Sequence, residues 1–266
     1  EDGTAQFVKH GVDNPNTKQE RGGAATNRNM AFATVVNYNR SFGKHDIMSL
    51  ANFQIQQKSL HSEIHARRKI NAGLWANYMY DNTYVVDFSL VTLGVPTLAR
   101  DRRFGLFPTV GAGWIISENG FMKNAEWVDY LKLRASYGII GSANTGIARG
   151  ASYPYLDRWS PSGTYTFNSF NDIVVLSGTG NADLRFQKTD EINAGVDFEF
   201  FGHRLTGSAG YFRNYFHGGF ANMSAIYPGI TGKGSTLYSI NYNATLSQGA
   251  EAELYGNLQF GDFKMR

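Results

Sequence analysis

Apolar and polar residues alternate with a period of two over long stretches of this chain. Within residues 131–139 the odd positions are apolar or aromatic, and the even positions are Lys132, Arg134, Ser136 and Gly138. The same alternation runs through residues 70–80, 84–90, 189–200 and 247–258. Because successive side chains of a strand point to opposite faces, each stretch predicts a strand with one apolar and one polar face.

Weaker alternation predicts four further strands, at residues 30–42, 47–57, 107–117 and 205–216. Most of the predicted strands exceed the about 5–6 residues that are usual in globular proteins. They reach the about 9–11 residues with which a tilted strand crosses a membrane. Strand length therefore favours a membrane barrel over a soluble sandwich.

Short and long connections alternate between the predicted strands. The short turns are residues 43–46, 81–83, 202–204 and 261–263, and the long connections are 58–66, 93–106, 140–188 and 217–245. Residues 118–129 fall where a short turn is expected, and they predict a brief helix through residues 121–127. Short turns at one end and long loops at the other are typical of outer-membrane barrels.

The direction in which each face looks follows from this loop order, because alternation alone does not decide it. We predict that Leu133, Val196 and Leu254 face lipid and that the polar side chains between them face the lumen, namely Arg134, Asp197 and Glu253. Aromatic residues near strand ends suit an interfacial girdle or are ordinary strand aromatics, and position alone leaves both readings open. These residues are Tyr78, Tyr80, Trp114, Tyr130, Tyr211 and Tyr215.

Composition narrows the class of protein further. Charged residues make up only 18% of the 266 residues, below the roughly 25% of a typical soluble domain. The net charge of +3 comes without a basic cluster, so we expect no nucleic-acid partner. The chain has no cysteine, which excludes disulfides, thiolate metal sites and cysteine nucleophiles. No stretch approaches the ~18 apolar residues of a membrane-spanning helix, so a membrane protein of this sequence would be a closed sheet.

The sequence contains no constellation of catalytic residues, and we predict neither an enzyme, a cofactor nor a bound metal. His61 and His65 lie four residues apart in a polar connection, where a solvated loop is the simpler reading. Several carboxylates occur at strand spacing, and they suit a hydrated channel wall better than the shaped cleft of a glycosidase. These carboxylates are Glu191, Asp197, Glu199, Glu251 and Glu253.

The long connection at residues 140–188 is the candidate ligand-binding loop, because it holds aromatic side chains among Ser, Asn and Gly. Aromatic faces beside polar groups bind sugars or peptides through stacking and hydrogen bonds. The same aromatics could instead pack the loop against itself or a partner, and both readings stay open. The candidate residues are Tyr153, Tyr155, Trp159, Tyr165, Phe167 and Phe170.

Two consecutive motifs carry a family resemblance. The sequence FPTVGAGWIISE at residues 107–118 resembles the F-P-S-x-x-x-G-W-x-x-S-E stretch of the SusC/RagA-like TonB-dependent transporters. Trp127 and the sequence LKLRASYG at residues 131–138 follow, similar to the family's W-x-x-x-L-K-L-R-A-S-Y-G. Further downstream, residues 181–198 resemble N-x-x-L-K-W-E-x-T…N-x-G-x-D-F, and residues 243–254 are similar to N-x-G-x-E-L.

The sequence departs from the family pattern at two places. Residues 100–105 read RDRRFG where the family has R-x-D-G-S-S-R-F-G, and Phe186 and Gln187 stand where Trp and Glu are usual. Neither change interrupts the strand alternation. We therefore expect altered loop contacts and an unchanged fold.

The resemblance implies an all-β fold, namely part of the antiparallel transmembrane barrel of a plugged TonB-dependent transporter, a class with ~22 strands. It implies energised import of glycans or peptides through the outer membrane of a Gram-negative bacterium. The implied partners are a SusD-like surface lipoprotein, outer-membrane lipid, and TonB acting through a plug that these residues do not include. The alternatives are a TonB-dependent siderophore or cobalamin receptor and a structural or adhesive outer-membrane protein.

The domain organisation is predicted accordingly. Residues 1–29 are expected to be the remnant of an extracellular loop, and residues 30–266 to form part of a barrel with long extracellular loops at 140–188 and 217–245. Nine strands are predicted, whereas single-chain bacterial barrels have an even number, so we expect these residues to form only part of a barrel. The edge strands at 30–42 and 251–258 should then be unpaired on one side, or paired with strands outside these residues, because each unpaired backbone group in lipid costs several kcal/mol.

Overall fold

The computed structural model describes residues 27–59, 66–122, 124–143, 153–165, 171–224, 237–256, 258–260 and 263–265. Strands dominate this part of the chain, and all nine strands predicted from alternation are present. They are β1 (Arg28–Phe42), β2 (His45–Ser59), β3 (Arg67–Tyr80), β4 (Tyr84–Gly94), β5 (Phe104–Ile115), β6 (Val128–Ser142), β9 (Gln187–Phe200), β10 (Leu205–Ser224) and β11 (Leu237–Gly256).

Four short strands complete the secondary structure. Strands β7 (Arg158–Tyr165) and β8 (Asn171–Thr179) form a hairpin inside the long connection between β6 and β9. Strands β12 (Leu258–Phe260) and β13 (Phe263–Met265) form a separate two-stranded hairpin. Among the described residues, no helix is long and apolar enough to cross a membrane.

One sheet of eleven strands contains nearly the whole described chain, in the order β1-β2-β3-β4-β5-β6-β9-β10-β11-β8-β7. Neighbours up to β11 are antiparallel, whereas β8 joins β11 in parallel through two residue pairs, Leu237 with Gly178 and Tyr238 with Thr179. In the described residues, β1 pairs with β2 alone, and β11 beyond Tyr238 pairs with β10 alone. Both edges of the sheet are therefore open over most of their length within this part of the chain.

The strand register sorts side chains onto two faces, as the alternation predicts. Trp114, Leu133 and Val196 are direct neighbours on β5, β6 and β9, and they define the apolar face. One residue away, Gly113 pairs with Arg134 and Arg134 with Gly195, on the polar face. Many large apolar side chains are exposed, because no second layer of described residues covers the apolar face.

The structure differs from the sequence prediction in two of the connections between strands. The helix predicted within residues 118–129 is absent: a single 3-10 turn at Ile116–Glu118 is followed by hydrogen-bonded turns, such as Met122 N–H to Asn119 O at 2.9 Å. Strands β10 and β11 extend well into the predicted connection 217–245, so the residues between them are 225–236, which lie outside the described part. A continuing backbone ladder satisfies more N–H and C=O groups than a loop does, which favours the longer strands.

The short turns use backbone conformations that polar residues and glycine tolerate. Gly43 and Gly202 have φ of +62° and +68°, in the left-handed region that glycine adopts without a steric cost. Two neighbouring turns are linked by an ion pair, in which Lys44 Nζ lies 2.6 Å from Asp81 Oδ2. The hydrogen bond to Asp81 and its negative charge raise the pKa of Lys44. The turns at residues 43–46 and 81–83 are thus connected at one end of the sheet.

Candidate functional site

The polar face of the sheet is a wall of paired charges. Arg134 Nε on β6 lies 3.1 Å from an oxygen of Asp197 on β9, with both side chains partly exposed. On the same face, the Asn77 side-chain amide donates a 2.7 Å hydrogen bond to Asp87. These contacts join side chains of neighbouring strands. This arrangement suits a surface that borders water rather than an enclosed catalytic cleft.

A recess of about 180 Å³ opens in this wall over β5. Gly111 and Gly113 form its floor, and a side chain added at Gly111 would meet the Cβ atoms of Asp87 and Ser136 at 3.6 Å. Acidic and basic groups therefore face each other across a strand that contributes no side chains there. The walls are formed by Val85, Asp87, Lys132, Arg134, Ser136 and Asn193.

At the end of the sheet where the long connections lie, a small apolar core anchors the loops. Leu98 and Leu184 are fully buried, and the rings of Phe107 and Phe186 meet edge to face with centroids 5.5 Å apart. Phe107 lies over Gly141 of the neighbouring strand, where a Cβ atom would overlap its ring. The core joins the 93–106 connection to the residues that lead into β9.

Two asparagines extend this core by hydrogen bonding to backbone. Asn181 is buried and donates from Nδ2 to Ser239 O at 2.8 Å. Asn241 accepts a hydrogen bond from Arg185 N–H at 2.9 Å and donates from Nδ2 to Gly218 O at 2.6 Å. Each side chain hydrogen-bonds to the backbone of residues distant in the chain. The segment before β9 is thereby fastened to β10 and β11.

Two arginines of the 93–106 connection hold the same assembly. Arg102 donates to Asp183 twice, to the backbone oxygen and to Oδ1, both at 2.8 Å. Arg103 donates to Leu98 O at 3.2 Å and to the Tyr155 hydroxyl at 3.1 Å. The guanidinium of Arg103 also lies 6.0 Å from the Tyr155 ring centroid, within the range of a cation–π contact.

The predicted ligand-binding aromatics fall into different surroundings. Tyr153 and Tyr155 are half-buried and meet edge to face at 6.0 Å, so both contribute to the loop assembly. Trp159 on β7 has 63% of its surface exposed. Tyr165 ends β7, but its side chain lies outside the described residues, as do Phe167 and Phe170 entirely. Tyr153, Tyr155 and Trp159 are thus the candidates that the structure describes, and Trp159 is the most accessible of them.

Trp159 is part of an exposed apolar patch on the β7–β8 hairpin. Register places Trp159 opposite Leu176 and Pro161 opposite Val174. Alternation along each strand puts these residues on one side of the hairpin, and Val174 is 56% exposed. A ligand with an apolar face would find the tryptophan ring and its neighbours accessible.

Sequence reasoning missed the residues that hold the loop assembly in place. Arg102, Arg103, Asn181 and Asn241 carry no catalytic or ligand pattern, and the asparagines contact residues distant in the chain. Asn181 is part of the family-like motif at 181–186, and Arg102 and Arg103 belong to the altered family-like stretch at 100–105, so these motifs were the signals available. The histidines at 61 and 65 lie outside the described residues. Within the described part, no three His, Asp or Glu side chains could share a metal ion.

Aromatic side chains gather on the apolar face at the short-turn end. Ring centroids lie 5.1 Å apart between His45 and Tyr80, and 6.4 Å apart between Tyr84 and Trp114. Register links these positions into one row that runs from Phe42 on β1 to Trp114 on β5. Such a row has the character of an interfacial girdle.

Not every aromatic predicted for the girdle belongs to it. Tyr78, Tyr80 and Trp114 lie in or next to the row. Tyr130 pairs with Glu199 and lies on the polar face, in the same alternation as Lys132 and Arg134. Tyr211 and Tyr215 lie on the apolar face but further along β10, towards the long connections.

A titratable pair lies at the turn between β9 and β10. His203 Nδ1 is 2.5 Å from Glu199 Oε2, and Asp129 accepts a 2.9 Å hydrogen bond from the His203 backbone N–H. The hydrogen bond to Glu199 and the negative charge of Asp129 raise the pKa of His203. The imidazole is fully exposed, so it is accessible to protons from solvent.

The chain is similar in sequence to known TonB-dependent receptors. No protein-family model matches the chain. The chain is 34% identical over 141 residues to the TonB-dependent receptor SusC of Bacteroides thetaiotaomicron, which covers 52% of this chain and 14% of the relative. It is 29% identical over 199 residues to the TonB-dependent receptor P39 of Formosa agariphila, covering 64% of this chain and 18% of the relative. The chain thus spans less than a fifth of either relative.

Solved structures share the fold. The RagAB peptide importer in its open-open state superposes with a TM-score of 0.72 at 20% identity, over 90% of this chain and 28% of the compared chain. The siderophore receptor PirA from Acinetobacter baumannii superposes with a TM-score of 0.56 at 14% identity, over 90% of this chain and 36% of that chain. The fold is therefore that of a portion of a TonB-dependent receptor barrel, as predicted. The chain is related in sequence and fold to the SusC/RagA-like family of TonB-dependent transporters.

Proposed function

We propose that the protein takes up a nutrient across the outer membrane of a Gram-negative bacterium, with energy supplied through TonB. The observation that carries the proposal is a single eleven-stranded sheet with one polar and one apolar face, in a chain related to TonB-dependent receptors. In this reading the face with Arg134 and Asp197 borders the aqueous lumen, and the face with Leu133 and Val196 meets lipid.

The end of the sheet with the long connections is extracellular in this proposal. The β7–β8 hairpin and the loop assembly around Leu98 and Leu184 lie at that end, and the turns at Gly43 and Gly202 lie in the periplasm. In this proposal Trp159, which is exposed on the hairpin, meets substrate before it enters the barrel. Residues 1–29, of which 27–29 are described, belong to the same extracellular side.

The proposed substrate is a glycan or a peptide, captured together with a SusD-like lipoprotein at the cell surface. An exposed tryptophan stacks on sugar rings or on apolar side chains, and polar neighbours supply hydrogen bonds. Catalysis is not part of the proposal, since the wall pairs its carboxylates with cations and amides rather than with each other.

Uptake by whole cells tests the proposal. A strain lacking the gene is compared with the complemented strain during growth on oligosaccharides or on peptides as the only carbon source. The proposal expects a growth defect on one substrate class that disappears on monomers, and loss of uptake when the proton gradient is collapsed. A defect confined to growth on ferric siderophores would favour the siderophore receptor instead. Unchanged uptake of all three would contradict an import function.

The role of Trp159 is tested separately. Trp159→Ala should weaken binding of the imported substrate about 2- to 12-fold, from the about 0.5–1.5 kcal/mol of an aromatic contact. Val175→Ala, at an exposed valine on the opposite side of the hairpin, is the matched control and should leave the dissociation constant unchanged. Equal dissociation constants for wild type and Trp159→Ala, measured by calorimetry, would remove Trp159 from the binding site.

A further inference from the structure

Towards the long-connection end, the apolar face of β9–β11 turns polar. Tyr211, Arg213, Tyr215 and His217 alternate along β10 on this face. Arg213 is opposite Gln248 on β11, and His217 is opposite Lys188 on β9. We call Lys188, Tyr211, Arg213, His217 and Gln248 the outer polar cluster.

The height of Arg213 on the barrel wall follows from strand geometry. Leu205 opens β10 at the short-turn end, and Arg213 lies about 27 Å further along the strand at about 3.4 Å per residue. A strand tilt of about 40° reduces this to about 20 Å along the membrane normal, in an apolar band about 25 Å tall. A long side chain can extend towards the nearer boundary. The guanidinium of Arg213 therefore reaches the outer edge of the apolar band.

The charges of the cluster are unequally matched. Asp190, the acidic neighbour on this face, is 3.2 Å from His217 Nε2. Within the described part of the chain, no ion pair engages Arg213 or Lys188. Tyr211 donates a 3.3 Å hydrogen bond to Gln248 Oε1. This bond does not use the amide nitrogen of Gln248, which is a hydrogen-bond donor.

From this arrangement, and on the basis of the function proposed above, we infer that the outer polar cluster binds the phosphate of lipids in the outer leaflet. A guanidinium matches two phosphate oxygens at once, and an ammonium adds a point charge beside it. An arginine that faces lipid is destabilising, less so near the interface than at the midplane, and a bound anion at this height would offset that cost.

The opposite end of the same face provides a contrast. Arg40 also lies on the apolar face, but near the short turns, with its guanidinium 6.0 Å from the Phe42 ring centroid. In the proposed orientation this arginine meets the inner leaflet. Arg40→Gln is therefore a matched control for Arg213→Gln, with the same change in charge and shape at the other membrane surface.

The experiment uses the protein made from its complete reading frame and reconstituted in phosphatidylcholine nanodiscs. Wild type, Arg213→Gln and Arg40→Gln receive bisphosphorylated lipid A, dephosphorylated lipid A or inorganic phosphate, and the temperature of unfolding is measured. We expect phosphorylated lipid A to raise this temperature for wild type and Arg40→Gln, and Arg213→Gln to lose at least half of the rise.

The other outcomes each decide a point. A rise that Arg213→Gln retains in full would overturn the lipid site, as would an equal rise with dephosphorylated lipid A. An equal rise with inorganic phosphate would make the cluster a site for free anions and overturn the lipid assignment. Failure of all three proteins to insert into nanodiscs would instead contradict the membrane function itself.

Discussion

At the turn between β9 and β10, the backbone conformation is unfavourable for residues with a side chain, and hydrogen bonds stabilise it. Phe201 and His203 both have φ of +60°, a conformation that costs a residue with a Cβ atom about 1 kcal/mol or more. His203 is held there by Asp129 at its backbone N–H and by Glu199 at its imidazole. His203 therefore interacts with two carboxylates, one at its backbone and one at its side chain.

The pH dependence of stability should reveal this pair. The folded pKa of His203 is raised above the value in the unfolded chain, so its contribution is complete below about pH 6.5 and disappears as pH rises through the folded pKa. His203→Asn, which tolerates positive φ and does not titrate, should lose that dependence. Unfolding temperatures of the two proteins, measured from pH 5 to about pH 9, should converge as pH rises. A constant difference between them would contradict the pair.

Gly141 is the position where a single methyl group should matter most. Its missing Cβ leaves room for the Phe107 ring, which packs in the loop core with Phe186. Gly141→Ala should lower the free energy of unfolding by about 1–3 kcal/mol through overpacking. Gly120→Ala is the control, because open space surrounds that position. Urea unfolding in lipid vesicles measures both, and equal losses would show that Phe107 moves aside without cost.

At this scale, sequence reasoning located side chains by type but not by partner. It found Tyr153 and Tyr155 as aromatics of a loop. It did not find that Arg103 binds Tyr155, since these residues are brought together only by the fold. Likewise, Tyr130 was predicted for a girdle because it lies near a strand end, although the alternation that puts Lys132 and Arg134 on the polar face puts Tyr130 there too.

The strands themselves were predictable because apolar and polar residues alternate along much of their length. Residues 192–200 and 250–254 alternate strictly, and the structure has strands there, β9 at Gln187–Phe200 and β11 at Leu237–Gly256. The hairpin β7–β8 was missed: Arg158–Tyr165 contains Pro161, and residues 173–176 form a continuous apolar run instead of an alternating one. Neither pattern distinguishes a strand from a loop. The helix predicted through residues 121–127 is wrong, since hydrogen-bonded turns occupy that place.

Adjacent residues on β9 test the two faces of the sheet. Val196→Arg places a charge towards lipid and should cost about 2–4 kcal/mol near the midplane, whereas Asp197→Ala on the lumen side should be mild. The loss of Asp197 leaves Arg134 unpaired, but that arginine is partly exposed and hydrated. Folding into bilayers against urea measures both variants. If Val196→Arg folds like wild type and Asp197→Ala does not, the faces are reversed.

At the scale of the whole molecule, the order of strands follows the chain except at one place. Strands β1 to β6 are neighbours in chain order. The next neighbour of β6 is β9, because the β7–β8 hairpin lies at the far edge of the sheet, beside β11. Alternating loop lengths made this order predictable, since antiparallel neighbours joined by short turns lie side by side. The parallel attachment of β8 to β11 was not predictable, because no local pattern in residues 178–179 or 237–238 specifies it.

Orientation in the membrane is testable with single cysteines, since the chain has none of its own. Leu156→Cys, exposed in the long connection, should react with an impermeant thiol reagent on intact cells. Gly120→Cys, in the connection between β5 and β6 with open space around it, should react only after the outer membrane is permeabilised. Labelling of Gly120→Cys alone on intact cells would reverse the topology.

The parallel contact between β8 and β11 also sets a sequence of events in time. Every antiparallel pair up to β6 joins strands that are close in the chain, so each can form as soon as its second strand exists. In contrast, Gly178 on β8 can pair with Leu237 only once β11 is present, and β9 and β10 lie between these two residues in the chain. Closing so large a segment of chain costs entropy that only later contacts repay. The surface hairpin should therefore be the last part of this sheet to be ordered during assembly, and the first to open when the protein is warmed.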